Sequence, residues 1–505
     1  MIEDEIKLAV HGPFTMPDLA DPDHGVLGVE PAGSRTLRAT YWDTADLRLA
    51  RNGVTLRHRT GEDSPPWQLK LPVPRSPGVR EELAEPGPPR EVPARLRALV
   101  TGWARAGVLV PVATLRTDRS VYRVLGPDGD GGQLELAELV DDTVSVLDHR
   151  RVVARFRELE VERRAADDSI MSGLRERLVA AGAVEGAFTP KVVHALGPLA
   201  TEPSDLPEPP ELSRAAPAGA VVRYALATGV RRLVAHDAPV RRAAPDAVHQ
   251  MRVACRRLRS DLRTFGPLVD PDWAGGLRDE LKWLADSLRA ARDLEVLRER
   301  IAAAARADPL APLDAGAVAR IDAVLAERER HALAEVEVAL AAPRYAALLE
   351  RVVEAARYPA LTDDAALPAA QALTPLVAKA WRKLERAARK LEPGAPDDDW
   401  HEVRIKAKRA RYAAEAAAPA LGSAPQRLGS AASSLQDLLG DHQDAVVAAE
   451  TLLGIAAEHP DDLHLALACG RLVERERADV RRVRTAFPAQ WKKARRNKNT
   501  KWLSR

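Results

Sequence analysis

The chain has 505 residues, too many for one ordinary domain and enough for two or three. Its net charge is only +2 and its aromatic content 4%, which exclude a uniformly basic chain and make nucleic acid an unlikely partner. Its two cysteines, Cys255 and Cys469, lie far apart in helical contexts and form no disulfide framework. No apolar run reaches the roughly 18 residues of a membrane span, and the acidic opening from Met1 to Glu5 is wrong for a signal peptide. A soluble, cytoplasmic protein is expected.

The chain opens with Glu3, Glu5 and Lys7 alternating with other residues, which in a strand puts two carboxylates and an ammonium on one face. A solvated strand face would account for that segment by itself. The pattern persists, however. Residues 54–59 place Arg57 and Arg59 on one face, residues 67–71 add Lys70, and residues 80–83 add Arg80 and Glu82. Arg116 and Arg119 precede a strand at 121–124. Glu135 and Glu138 lie on 134–139, with Asp141 and Asp142 after it, and Glu158, Glu160 and Glu162 share a face at 156–162. Charge thus recurs with period two, sorted into acidic and basic ladders. Solvent would not require that sorting. The lumen of a closed barrel would, with divalent cations on the carboxylates and a polyanion on the Arg and Lys side chains.

The ordered set Glu3-x-Glu5-x-Lys7, Tyr41-Trp42-Asp43-Thr44, Leu56-Arg57-His58-Arg59, Leu69-Lys70-Leu71-Pro72 and Glu158-x-Glu160-x-Glu162 resembles the CYTH family over residues 1–200. These are the triphosphate tunnel metalloenzymes, which include thiamine triphosphatases, inorganic triphosphatases and class IV adenylate cyclases. The resemblance implies an α+β unit built on an eight-stranded antiparallel tunnel. It implies Mg²⁺ or Mn²⁺ on Glu3, Glu5, Glu158 and Glu160, which with Lys7 make the catalytic set. Arg57, Arg59, Lys70, Arg119 and Lys191 are implied as phosphate contacts, Lys191 following a short helix at 170–181. Either Asp141 or Asp142 could supply the family's inner carboxylate, and Asp142 is preferred as a further metal ligand. Tyr41 and Asp43 are expected to be structural. The implied chemistry is phosphoanhydride hydrolysis, with the metal neutralising phosphate charge and a carboxylate-positioned water attacking. No adenine pocket is evident, so cyclase activity ranks below hydrolysis.

Residues 201–217 are Pro-rich and acidic, the composition of a semi-rigid linker. Beyond them apolar residues recur at helical spacing. Helices are expected at 220–236, 247–265, 276–305, 315–340, 345–356, 373–391, 400–418, 428–439, 441–458 and 462–485. His249, Arg252, Arg256, Arg259 and Arg263 recur at spacings of three and four and so lie along one helix face. His401, Arg404, Lys408 and Arg411 repeat the pattern. Each copy is followed by a second matching segment, Leu284 to Asp293 and Leu435 to Asp444, which marks an internal duplication. Two pseudo-twofold-related four-helix bundles are expected over 218–490. A basic stripe is often merely solvated, but two such stripes facing one another would form a polyanion groove. Metal ligation by the histidines is disfavoured, because cations surround them.

The spacing His249-x-x-Arg252-x-x-x-Arg256-x-x-Arg259 and the segment Leu435-Gln436-Asp437-Leu438-Leu439-Gly440-Asp441-His442-Gln443-Asp444 closely resemble the CHAD family, the conserved-histidine α-helical domain. That resemblance implies binding of inorganic polyphosphate or tripolyphosphate and association with polyphosphate granules. The first copy departs from the second, with Arg292 where Gln443 stands and Ala291 where His442 stands. Asp293 and Asp444 are expected to orient basic side chains. The tail at 491–505 is strongly basic and expected to be disordered. The sequence leaves the preferred triphosphate, the metal and the oligomeric state open.

Overall fold

The computed structural model describes all residues except 1, 4, 12, 74–79, 129–131, 186–189, 308–311 and 505, and for residues 2 and 3 the backbone alone. The chain divides into two compact units, Met1–Asp205 and Leu206–Arg505. Among the described residues no helix is long and apolar enough to cross a membrane.

The first unit is one antiparallel sheet. Its strands are β1 (Ile2–Glu3), β2 (Glu5–Val10), β3 (Gly28–Asp43), β4 (Thr55–Thr60), β5 (Trp67–Pro72), β6 (Arg80–Glu85), β7 (Val110–Pro127), β8 (Gln133–Asp148), β9 (Arg151–Arg163) and β10 (Val184–Glu185). Their order is β1-β6-β5-β4-β3-β7-β8-β9-β2-β10. β1 and β2 are successive pieces of one N-terminal segment; β1 pairs with β6 and β2 with β9. That segment therefore bridges the two edges and closes the sheet, which makes the eight-stranded tunnel, with β10 a two-residue addition on β2. β3, β7, β8 and β9 run well beyond the short stretches that alternation alone suggested.

Alternation decides which face each side chain takes. Leu8, Val10, Leu159 and Val161 pack with Met171, Leu174 and Leu178 of helix α1 (Asp168–Ala180), which covers the barrel from outside. Their neighbours Lys7, Glu158 and Glu160 therefore point into the lumen. The same rule puts Ala39, Tyr41, Leu115, Val144 and Val146 on the lumen face, where Val192 and Val193 of helix α2 (Lys191–Leu196) pack against them. Helix α2 thus seats in an apolar ring at one end of the lumen. The start of the proline-rich stretch is bound to this unit: Arg51 donates to the Pro203 carbonyl, Ser204 to Asn52, and Asp205 is paired with buried Arg105.

The second unit is all helical. Its longer helices are α3 (Ala218–Ala235), α4 (Ala247–Thr264), α5 (Pro271–Ser287), α6 (Arg289–Arg306), α7 (Ala315–Ala341), α8 (Pro343–Arg357), α9 (Ala369–Ala388), α10 (Asp397–Leu421), α11 (Ser423–Glu458) and α12 (Leu463–Ala494). One set packs α3, α4, α5 and α8 together, the other packs α9 to α12 in succession, and α4 meets α10. Helices α6 and α7 join the second set through Leu297, Ile301, Ile321 and Leu325 against Leu452, Ile455, Leu465 and Leu472. The single helix expected at 276–305 is divided at Leu288, whereas those expected at 428–439 and 441–458 are one helix, α11. An interior glycine such as Gly440 costs a helix only about 1 kcal/mol, and the buried Leu435, Leu439 and Leu452 offset that.

The expected disorder of the tail is corrected. Helix α12 runs to Ala494, Trp491 stacks on Trp381 with ring centroids 5.5 Å apart, and Asn499 donates to the Ala494 carbonyl at 3.0 Å. Buried aromatic area, not charge, decides the tail's conformation.

Helices α3 and α4 touch at Gly229, where a Cβ would stand 2.4 Å from Leu258 Cδ2. Gly229→Ala should therefore destabilise the helical unit by about 1–3 kcal/mol through overpacking. Thermal unfolding of that unit measures it. An unchanged midpoint would mean that the helices separate easily.

Candidate functional site

The lumen of the barrel sorts its charges by wall. Asp142 on β8 and Glu158 and Glu160 on β9 form the acidic wall. Each offers one carboxylate oxygen, and the three oxygens lie within 4.8 Å of one another. The β8–β9 register sets Asp142 directly across from Glu158 and across from Arg119 on β7. Asp141 falls on the opposite face, where Arg157 grips it bidentately at 2.8 and 2.6 Å. The inner carboxylate is thus Asp142, which is fully buried.

Three cations sit against this wall. Arg119 forks onto Asp142 at 2.8 and 2.6 Å and reaches Glu160 at 3.2 Å. Lys7 lies 2.7 Å from Glu160 and 3.3 Å from Glu5. Lys191, at the first turn of α2, stands 2.6, 2.8 and 2.9 Å from Glu158, Glu160 and Asp142. The resemblance implied a phosphate contact for Lys191; here its ammonium is held by carboxylates. Burial alone would raise the Glu160 carboxyl, but Lys191, Lys7 and Arg119 outweigh it and hold it well below the usual range. At Glu158 burial prevails over Lys191 and the carboxyl is pushed up. The side chain of Glu3 lies outside the described residues.

The opposite wall is basic. Arg57 donates to Gln68 at 2.8 Å and to the Tyr41 hydroxyl at 3.3 Å. Arg59 bonds Glu62 at 2.5 Å, and burial together with Arg57 pushes its guanidinium down to about 10. Lys70 pairs with Glu82 at 3.3 Å. Gln68 and Glu62 went unnoticed in the sequence. Gln68 alternates with Lys70 on β5 and could have been found by parity; Glu62 sits in a turn and carried no signal. Asp43 is structural: its carboxylate accepts from the backbone N–H groups of Thr44, Leu49 and Ala50.

In the helical unit the packing of α4 on α10 brings part of the two basic stripes together. Arg404, Arg256 and Arg252 all act on Lys408. His249 has Arg292 and Arg256 beside it, and His401 Nδ1 lies 2.5 Å from Gln443 Oε1. Arg252 donates to Asp293 at 2.7 Å. Arg256 Nε, Arg404 Nε and His249 Nδ1 are buried without a hydrogen-bond partner, and such atoms need one. Arg263 lies further along with Arg259 and Arg409. Arg411 is turned away, bonded to Glu415 at 2.7 Å, which also takes Arg257.

The CYTH domain family matches residues 1–181 and the CHAD domain family residues 224–453. An uncharacterized protein, Rv2226, of Mycobacterium tuberculosis is 33% identical over 460 residues, covering 85% of this chain and 84% of its own. Among solved structures, PptA from Streptomyces chartreusis is 26% identical, covers 55% of this chain and 100% of its own, and superposes with a TM-score of 0.47. The CHAD domain of the plant Ricinus communis is 25% identical, covers 56% of this chain and 94% of its own, and gives a TM-score of 0.45.

Proposed function

The chain belongs to the family that joins a CYTH domain, the fold of the triphosphate tunnel enzymes, to a CHAD domain, and we propose that its barrel hydrolyses inorganic tripolyphosphate or a closely related triphosphate while its helical unit binds inorganic polyphosphate. One observation carries the reading: a cluster of three carboxylates, two of them buried and Glu160 half-buried, faces a wall of arginine and lysine inside one lumen. Phosphate binding alone needs cations, whereas an oxygen-only carboxylate cluster beside them suits a divalent cation.

The donor set fits such an ion. Asp142, Glu158 and Glu160 offer oxygen alone, which suits Mg²⁺ or Mn²⁺ and not a soft metal. These three, with Glu5 and Glu3 from the N-terminal segment, would hold it. When bound, such an ion would supply positive charge to the phosphate oxygens. Arg57, Arg59 and Lys70 hold the phosphate chain in line. Arg119 fixes Asp142 and Glu160, and a carboxylate of the cluster positions the attacking water. Helix α2 blocks one end of the lumen against stray solvent.

Phosphate release from tripolyphosphate by the whole chain, with Mg²⁺, with Mn²⁺ and with chelator, tests the reading. Metal-dependent turnover is expected. No turnover alongside retained polyphosphate binding would leave an adaptor, and the position of Lys191 favours that second reading, since its ammonium already neutralises the acidic wall.

The same position makes a separate prediction. Lys191→Ala leaves Glu158 without its ammonium partner beside Asp142 and Glu160, which keep Arg119 and Lys7, and breaking such a buried pair costs about 3–5 kcal/mol. The thermal midpoint should fall in chelator and recover with Mn²⁺. A fall that Mn²⁺ does not reverse would count against the carboxylates as a metal site.

A further inference from the structure

We infer that Glu62 is an exchange anion of the lumen: its carboxylate holds the place of a phosphate on the basic wall between turnovers, yields it to an incoming triphosphate, and returns to drive off the shorter product. The inference rests on the lumen being a triphosphate site, as proposed above. Glu62 lies in the turn between β4 and β5. Gly61 fixes the start of that turn. It adopts a φ of +100° and lies so close to β3 that a Cβ would stand 2.3 Å from the Thr36 carbonyl oxygen. At the other end the Arg59 N–H donates to the Pro66 carbonyl at 2.7 Å. Glu62 is thereby set beside the wall, with only 10% of its side chain exposed. Its Oε1 receives three donors: Arg59 Nε at 2.5 Å, Ser64 Oγ at 2.8 Å and Gln68 Nε2 at 3.0 Å. Burial would raise the Glu62 carboxyl, but Arg59 and the Ser64 hydroxyl outweigh it and hold it below its ordinary value, so the group is an anion near neutral pH.

Three donors converging on one anionic oxygen are what a phosphate oxygen would receive on this wall. Arg57 joins the same network through Gln68, whose Oε1 accepts from Arg57 Nε at 2.8 Å while its Nε2 donates to Glu62. A phosphate that takes Arg59 gains Gln68 Nε2 and Ser64 Oγ only as the carboxylate withdraws, because two anions held against one half-buried guanidinium repel each other. Entry is therefore an exchange of ion pairs, and its balance depends on the arriving anion. Tripolyphosphate carries charge enough for Arg57, Arg59 and Lys70 together and replaces one carboxylate with several contacts. Pyrophosphate makes fewer, and Glu62 competes with it on better terms. The turn tethers the carboxylate beside Arg59, so it competes at high effective concentration.

The test is Glu62→Gln in the full chain, with Glu62→Ala as a second variant should the amide form fold poorly. Turnover of tripolyphosphate with Mn²⁺ is measured together with its inhibition by pyrophosphate. KM should fall, and pyrophosphate should inhibit at least about fivefold more tightly, the scale of losing one charged, hydrogen-bonded competitor. The value of kcat should not rise, because the product leaves more slowly. A merely structural role for Glu62 would raise KM or leave both constants unmoved, and either result would overturn the inference. Calorimetric binding of pyrophosphate in chelator gives a readout free of turnover. It is made in chains that also carry Arg256→Glu and Arg404→Glu, so that the helical groove does not contribute, and affinity should rise by the same factor. Tighter binding by the variant with no turnover in either form would keep the exchange and remove the hydrolytic reading. Equal binding by both forms would remove the role of Glu62 alone. Binding of tripolyphosphate by neither form would remove the lumen reading and the exchange with it.

Discussion

Glu160→Gln should lower metal-dependent phosphate release by at least about a hundredfold, the scale of losing one electrostatic element of a preorganised site. Glu160 accepts Lys7, Lys191 and Arg119 together. The amide keeps the shape but removes the charge on which those three cations are balanced, and it removes a metal ligand. Asp141→Asn provides the matching control. Asp141 lies one residue from Asp142, but its partner is Arg157 on the outer face, so turnover should stay within about fivefold of wild type, as expected of a change away from the reacting groups. Both variants should bind polyphosphate as before, because the helical unit is a compact unit with its own buried core. Full turnover by the Glu160 variant would sink the lumen assignment; loss of polyphosphate binding by it would sink the division of labour.

How far the sequence discloses this site depends on whether a signal is local. The ladder of Glu158, Glu160 and Glu162 is visible because a strand repeats every two residues, and the barrel face follows from it. The neighbouring pair Asp141 and Asp142 is not resolved by its own sequence, since either could face inward until the strand's register is known. Arg119, paired across β7 and β8 with Asp142, settles it. Lys191 is legible as a late lysine but not as a partner of three carboxylates, because that depends on α2 packing its valines into the end of the lumen. The basic stripes are plain from helical periodicity, yet which of their members meet depends on how α4 crosses α10. Arg411 belongs to the stripe by spacing and is nevertheless claimed by Glu415, one turn on. The tail is not legible for a related reason: its charges are local, whereas the contact of Trp491 with Trp381 that folds it is not.

The groove itself makes the second large prediction. Changing Arg256 and Arg404 together to Glu removes two cations and installs two anions where two stripes converge. Each neutralised phosphate contributes close to one unit of slope in the dependence of log affinity on log salt. The double reversal should therefore flatten that slope by roughly two and weaken long-chain polyphosphate binding by on the order of a hundredfold or more at physiological salt. Tripolyphosphate turnover in the barrel should be untouched. The fold should survive, because Arg256 and Arg404 are only partly buried, and the contact between α4 and α10 also includes the ion pair of Arg257 with Glu415. Acidity should act in the opposite sense to salt. Lys408 gains its charge as pH falls through about 7, and a polyanion prefers the charged form, so affinity of the wild-type chain should rise across that range. The reversed chain places carboxylates beside Lys408, which restores its charge near neutral pH and should abolish that part of the pH dependence. Binding isotherms at several salt concentrations and on both sides of that pH check all three. Unchanged affinity in the double variant would mean that the two stripes are solvated helix faces. Lost affinity with the wild-type salt slope would mean that the change broke the fold of the groove and left its charge untested, and the conservative pair Arg256→Lys and Arg404→Lys, which keeps charge and loses the planar fork, would then decide between charge and geometry.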